Sequence, residues 1–225
     1  MGKLIVFEGI DGSGKSTQFN MLAELLRHIG NEFVQVSFPR YSEPSSALIR
    51  MYLNGEFGSK PDDVNPYAAA AFFALDRFAS YRIDWGNYYN LGGTVLTDRY
   101  TTSNAVHQAS KLSSGGLREV FWDWLYDFEF NLLCIPKPDI VVFLDVPADL
   151  AAKQIEKRRL ETKSGTDIHE TDFEYLSRCS ECAIEAAAHF GWHRIDCAPN
   201  GTMRSVESIH SQITALITSI VKKDD

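Results

Sequence analysis

Residues 9–16 read Gly9-Ile10-Asp11-Gly12-Ser13-Gly14-Lys15-Ser16, the spacing G-x-x-x-x-G-K-S, directly after the apolar run Leu4-Ile5-Val6-Phe7. Nothing else in the chain constrains the fold as strongly. A strand must end where this loop begins, and a helix must start where it ends. A triphosphate needs backbone N–H groups wrapped closely around its oxygens, and glycines let the chain take that shape without a Cβ in the way. The helix that follows points its positive end at the phosphates. Lys15 has the reach for the β- and γ-phosphates, and the Ser16 hydroxyl is a ligand for Mg²⁺. Gly9, Ile10, Asp11, Gly12, Ser13, Gly14, Lys15, Ser16 and Thr17 are therefore the candidate ATP-binding residues, with Mg²⁺ accompanying ATP.

The chain has 225 residues, 44% apolar and 23% charged, enough for one globular domain spanning 1–225. Its formal net charge of −8 gives no electrostatic ground for nucleic-acid binding. The apolar stretch at 4–7 is too short for a secretory signal, and no window reaches a membrane span, so a cytoplasmic protein with no membrane partner is expected. Cys179 and Cys182 form a C-x-x-C inside a helical pattern, with no second pair and no suitably spaced His. That reads as two reduced thiols rather than a metal site.

Strand-like runs at Lys3–Glu8, Val34–Phe38, Thr94–Thr97, Ile140–Asp145 and His193–Asp196 alternate with helical patterns. The runs are short and rich in β-branched residues, as expected of strands covered on both faces. Helices are expected over 15–29, 66–91, 117–133, 148–159, 172–190 and 206–221. This alternation predicts an α/β, three-layer P-loop NTPase fold, with a central parallel sheet of about five strands flanked by helices. Ligands in such folds sit at the C-terminal strand ends. The polar, glycine-containing stretch at about 157–171 is expected to form a lid.

Asp98-Arg99-Tyr100 follows the third strand. A carboxylate there suits Mg²⁺ or its waters, which makes Ser16 and Asp98 the candidate metal residues; Arg99 suits a phosphate, and Tyr100 a sugar. Phe38-Pro39-Arg40-Tyr41 at the second strand end suits a pocket for a base and a phosphate. Phe73 and Arg77 lie four apart, on one helix face, where a ring and a guanidinium would make a nucleobase platform. The spacing alone equally describes a core Phe beside a surface pair of Asp76 with an arginine. Lys157-Arg158-Arg159 and Lys163 lead into the lid stretch. They either neutralise a transferring phosphoryl group or complement a helix dipole.

These motifs together resemble the thymidylate kinase family over nearly the whole chain: Phe7 to Gln18 around the loop, Phe38-Pro39-Arg40-Tyr41, Phe73 to Arg77, Asp98-Arg99-Tyr100 running on to Ser103-Asn104, and Pro136-Lys137-Pro138-Asp139 before the fourth strand. The resemblance implies ATP and dTMP as substrates and a homodimer packed through helices. It implies a dTMP site of Asp11, Phe38, Arg40, Phe73, Arg77, Arg99, Tyr100, Ser103, Asn104, His107 and Tyr175. Within it Asp11 faces the 3′-hydroxyl and metal region, Phe73 stacks on thymine, Arg77 and Asn104 read its edge, and Arg99 binds the acceptor phosphate. It implies Lys15, Arg99, Asp11, Arg158 and Arg159 as catalytic. The chain departs from the family pattern at two places. His107 stands where a Tyr or Phe is expected to exclude a 2′-hydroxyl, and Ile168 replaces an arginine within Asp167-Ile168-His169-Glu170.

The expected reaction is phosphorylation of dTMP to dTDP by Mg-ATP, in the synthesis of dTTP. An acceptor phosphate has its second pKa near ~6, so no general base is required. A deoxynucleoside kinase acting on thymidine would instead benefit from a carboxylate base after the second strand, a place open to Glu43. A nucleotide-binding regulatory protein would use the fold without a second nucleotide pocket.

Overall fold

Five parallel strands form one sheet in the order β2-β3-β1-β4-β5. They are β1 (Lys3–Glu8), β2 (Val34–Ser37), β3 (Thr94–Asp98), β4 (Ile140–Asp145) and β5 (His193–Asp196). The computed structural model describes residues 2–113, 116–162 and 172–221. The helices are α1 (Lys15–His28), α2 (Ala47–Leu53), α3 (Pro66–Ser80), α4 (Gly86–Asn90), α5 (Thr101–His107), α6 (Gly116–Tyr126), α7 (Ala148–Thr162), α8 (Phe173–Phe190) and α9 (Val206–Val221). The expected parallel sheet of five strands flanked by helices is the architecture observed.

Residues 4–7 of β1 and all of β4 are buried, because helices cover both sheet faces over the inner strands. Burying each Leu, Ile, Val or Phe there contributes about 1.5–3 kcal/mol. The expectation of two covered faces fails at the edges. β2 is half-buried to exposed throughout, and β5 buries only Ile195. Each edge strand has a single neighbour, so part of its surface stays outside the layers. The β1 start is fixed by Asp139: its Oδ2 accepts from Leu4 N–H at 2.7 Å, and its own N–H donates to the Leu4 carbonyl at 2.9 Å.

Two expected long helices are interrupted. The 66–91 pattern divides into α3 and α4 around a π-turn at Tyr81–Trp85. There the Gly86 N–H donates to the Tyr81 carbonyl, which lies 2.3 Å from where a Cβ on Gly86 would sit. Only glycine permits that approach. The 117–133 pattern is α6 followed by a π-turn at Asp127–Leu132. Such turns rotate the side chains after them relative to an α-helical continuation. Short helices α2 and α5 appear where no helix was expected; at seven residues each they are too short to carry a periodic signature.

Strand order reverses at β1, which lies between β3 and β4. The register pairs Phe7 with Asp98 and Glu8 with Phe143. The glycine-rich loop therefore leaves β1 beside Asp98-Arg99, at the switch point where such sheets hold ligands. Cys179 and Cys182 are buried free thiols on α8, as the spacing suggested, and burial pushes Cys179 up to about 12.

Candidate active site

At the loop, Gly12 has φ 79° and packs against α7, where a Cβ would meet the Ala151 carbonyl oxygen at 2.2 Å. The position thus excludes every side chain twice, by conformation and by space. Lys15, 6% exposed, donates from Nζ to the carbonyls of Gly9 (2.7 Å) and Ile10 (2.9 Å). Burial, aided by the nearby Arg99 cation, pushes its ammonium down to about 8, against the opposing pull of Asp11, Asp98 and Glu8.

The Ser16 hydroxyl donates to Asp98 Oδ2 at 3.2 Å, while Asp98 Oδ1 is buried with no hydrogen-bond partner among the described residues. An unpaired carboxylate oxygen beside a hydroxyl is a hard-oxygen donor set, and it fits Mg²⁺. Among the described residues no group of three or more His, Cys, Asp or Glu could hold a metal by itself. Mg²⁺ takes one or two protein oxygens and completes its shell with phosphate and water.

A cavity over the loop is lined by residues 11–18, Asp98, Arg99, Gln154, Arg158 and the Met203–Ile209 region. Of the two basic candidates on α7, Arg158 lines this cavity. Arg159 does not; it is exposed and pairs with Glu156 at 3.8 Å. Gly9 and Ile10 do not line the cavity; their carbonyls accept from Lys15 Nζ. Lys163 and the Asp167–Glu170 stretch of the expected lid lie outside the described residues.

A second cavity shares Asp11 and Arg99 with the first, and adds Phe38, Pro39, Tyr41, Leu53, Phe73, Arg77, Ser103, Asn104, His107 and Gln108. Phe73 and Arg77 thus face one cavity. Asp76 does not form the surface pair that the spacing also allowed: it is buried and accepts from Arg40 N–H (2.9 Å) and the Ser45 hydroxyl (2.5 Å).

Arg77, 1% exposed, donates from Nε (2.7 Å) and Nη2 (2.5 Å) to the two oxygens of Glu129, itself fully buried on the π-turn. Glu129 also accepts from the Thr101 hydroxyl (2.7 Å) and from Asn104 Nδ2 (3.2 Å). Asn104 Nδ2 is further committed to the Ala70 carbonyl at 3.0 Å, so any acceptor this side chain offers is its oxygen. Glu129 therefore orients both Arg77 and Asn104.

Arg99 takes a left-handed backbone, φ 67°, a conformation that is costly for a non-glycine residue and clusters at functional sites. Its guanidinium pairs with Asp11, donates to Ser103 Oγ (3.3 Å) and His107 Nε2 (3.1 Å), and lies 3.7 Å from Glu8. Burial alone would lower its pKa; the carboxylates of Asp11, Glu8 and Asp98 instead hold it above its ordinary value. Because arginine only donates, His107 Nε2 acts as the acceptor, and the ring proton sits on Nδ1, facing Cys179 Sγ at 3.5 Å. Glu8, fully buried, accepts from the hydroxyls of Thr102 (2.6 Å) and Ser103 (2.7 Å).

Three expected site residues stand behind the cavity wall rather than in it. Tyr100 is buried with its hydroxyl on the Pro136 carbonyl (3.0 Å), and Tyr175 with its hydroxyl on the His107 carbonyl (2.8 Å). Arg40 is held by Asp76, Asp84 and Ser45. Sequence reading assigned no role to Glu8, Glu129, Gln108 or Leu53. Glu8 adjoins the loop motif, but no signal marks Glu129, 52 residues from its partner Arg77.

Residues 7–213 match the family model described as thymidylate kinase. The thymidylate kinase of Mycobacterium tuberculosis strain H37Rv is 35% identical over 193 residues, covering 84% of this chain and 87% of the relative. A probable thymidylate kinase of Thermococcus kodakarensis is 30% identical over 222 residues, 98% of this chain and 99% of the relative. The thymidylate kinase of Caenorhabditis elegans is 34% identical over 172 residues, 72% of each chain. With this match from β1 to α9, and with a phosphate loop adjoining a second cavity, the chain belongs to the thymidylate kinase family of P-loop nucleoside monophosphate kinases.

Proposed function

We propose that this protein transfers the γ-phosphoryl group of ATP to dTMP, giving ADP and dTDP on the route to dTTP. The observation that carries the reading is the pair of cavities joined at Asp11 and Arg99, one walled by the phosphate loop and the other by Phe73, Arg77 and Asn104. ATP lies along Gly9 to Thr17, with Lys15 exchanging its loop carbonyls for phosphate oxygens. Ser16 and Asp98 hold Mg²⁺, which neutralises charge on the β- and γ-phosphates when bound.

In the second cavity thymine stacks on Phe73, with Arg77 donating to its O4 and Asn104 Oδ1 accepting from N3–H. Arg99 and Ser103 hold the 5′-phosphate, Asp11 faces the 3′-hydroxyl, and Phe38 and His107 wall the sugar. Arg40, Tyr100 and Tyr175 support this shell from behind. One acceptor oxygen, already ionised at neutral pH, attacks the γ-phosphorus as the bond to the β–γ bridging oxygen breaks. Arg99 and Arg158 are placed to stabilise the charge that develops. Arg159 joins them only if its pairing with Glu156 is exchanged.

A charged acceptor agrees with the second strand end. Glu43, the carboxylate that the sequence offers a deoxynucleoside kinase there, is exposed and lines neither cavity. A second pocket with base-reading groups is likewise unneeded by a regulatory switch. A homodimer and a cytoplasmic location complete the proposal. Among the described residues no helix is long and apolar enough to cross a membrane, and sedimentation of the pure protein tests the assembly. The deciding experiment is turnover with Mg-ATP against dTMP, dUMP, UMP and thymidine. Rapid diphosphate formation from dTMP supports the reading, and faster phosphorylation of thymidine would overturn it.

A further inference from the structure

Gln18, three residues after Lys15 on α1, is 3% exposed and donates from Nε2 to the Val206 carbonyl at 2.9 Å. The two residues lie 188 apart in sequence, and both line the first cavity. The sheet order explains what they join. β3, which ends at Asp98 beside Arg99, and β5, which leads to Met203–Val206, lie on opposite sides of β1, three strand spacings of about 4.8 Å apart. A nucleotide held over the loop with its terminal phosphate toward Arg99 therefore extends its nucleoside half toward the exit of β5. The cavity wall there carries Met203, Val206 and Ile209, an apolar surface of the kind that a purine and its sugar require.

Two side chains brace that wall, one from each flank. Arg204 lines the cavity, but both Nη atoms are committed: Nη1 donates to the Asp196 carbonyl (2.9 Å) and Gln212 Oε1 (2.7 Å), and Nη2 to the Ser208 carbonyl (3.1 Å) and hydroxyl (3.0 Å). Arg204 thus ties the end of β5 to α9, and Gln18 ties the start of α9 to α1. The other amide atom of Gln18, Oε1, is buried with no hydrogen-bond partner among the described residues. An unpaired buried acceptor costs about 1–3 kcal/mol, which an apolar side chain of the same size would avoid. Stability alone does not ask for an amide at this position; the Val206 carbonyl does. We infer that Gln18 is a positioning residue for the phosphoryl donor, fixing the Met203–Val206 wall against the phosphate-loop helix so that the triphosphate and the nucleoside of one ATP are seated together. The inference rests on the ATP reading of the first cavity and adds to it the side chain that couples the two halves of the donor site.

The test pairs an enzyme change with a ligand change, using calorimetric titration of the full chain, with Mg²⁺ present, against ATP and against inorganic tripolyphosphate, which reports the loop without a nucleoside. Gln18→Met and Gln18→Leu, similar in volume and unable to donate to a carbonyl, are expected to bind ATP about tenfold more weakly, the scale of one hydrogen bond. Their affinity for tripolyphosphate should stay within about twofold of wild type, a split that general damage to the loop would not produce. In turnover the same variants should raise KM for ATP about tenfold, with kcat and KM for dTMP little changed. Retained dTMP affinity and an unchanged or raised melting temperature report an intact fold; a fall in melting temperature with loss of dTMP binding in both variants would assign Gln18 to the fold alone and overturn the inference. Unchanged ATP affinity in a folded variant, or an equal loss for tripolyphosphate, overturns it as well while leaving the ATP reading standing. Failure of the wild-type protein to bind either ligand overturns both.

Discussion

At one end of the cleft the glycine-rich loop is one contiguous run, of which residues 11–17 line the first cavity. At the other end Phe38, Phe73, Arg77, Arg99 and Asn104 arrive from three separate stretches of chain, and two carboxylates outside the cavity, Glu8 and Glu129, hold members of the set. The first end depends on conformation and needs little from its neighbours. The second depends on a buried polar network, where each missing partner strands a charge or a donor. The loop end should therefore fail through Lys15, the cation buried within the loop itself, and the far end through its supports as much as its contacts.

Substitutions can break this contrast in order of expected size. Lys15→Ala should lower kcat at least a thousandfold with little change in dTMP binding, as removal of a charge-stabilising group does. Arg99→Ala should lower kcat/KM for dTMP about a hundredfold or more, since it serves both cavities; unchanged acceptor kinetics would refute its assignment. Glu129→Gln keeps volume but removes the buried charge that faces Arg77. It should raise KM for dTMP about tenfold or more and destabilise the fold by about 3–5 kcal/mol, the range for breaking a buried pair. ATP affinity should be untouched, and a parallel loss of ATP binding would show that the two ends share their supports. Phe73→Ala should weaken dTMP binding by about 1–3 kcal/mol, the loss typical of base stacking.

The smallest effect is a proton. With the Lys15 pKa lowered to about 8 and the unfolded value at 10.5, the unfolded chain binds more protons between those limits. This group therefore makes stability rise with pH across that window in the unliganded protein. A bound polyphosphate restores the higher pKa, so ATP binding at pH 8.5 should take up a proton and at pH 6.5 should not. Calorimetry in buffers of differing ionisation enthalpy measures it, and Lys15→Met should abolish the difference.

The same contrast explains what the sequence discloses. The inner strands and the loop are contiguous patterns, and they appear in the structure at or within a residue of the expected bounds. Phe73 and Arg77 announce a shared face by spacing, but not which way that face turns; the sheet and α5 decide that. Glu129 is invisible because its significance comes from a π-turn, and a π-turn leaves no periodic trace. Tyr100 and Tyr175 show the converse limit: a motif position says that a residue matters without saying whether it faces the cavity or braces a neighbour.

The Asp11–Arg99 pair lies on the boundary of both cavities. In the proposed complex an anion that draws the guanidinium toward itself would loosen the carboxylate on the other side, so neither nucleotide would titrate the protein as if the other were absent. Reciprocity then fixes the outcome: whatever factor dTMP imposes on ATP affinity, ATP imposes on dTMP. An inhibitor shaped for one half of the cleft will consequently change in potency with the cell's level of the opposite nucleotide.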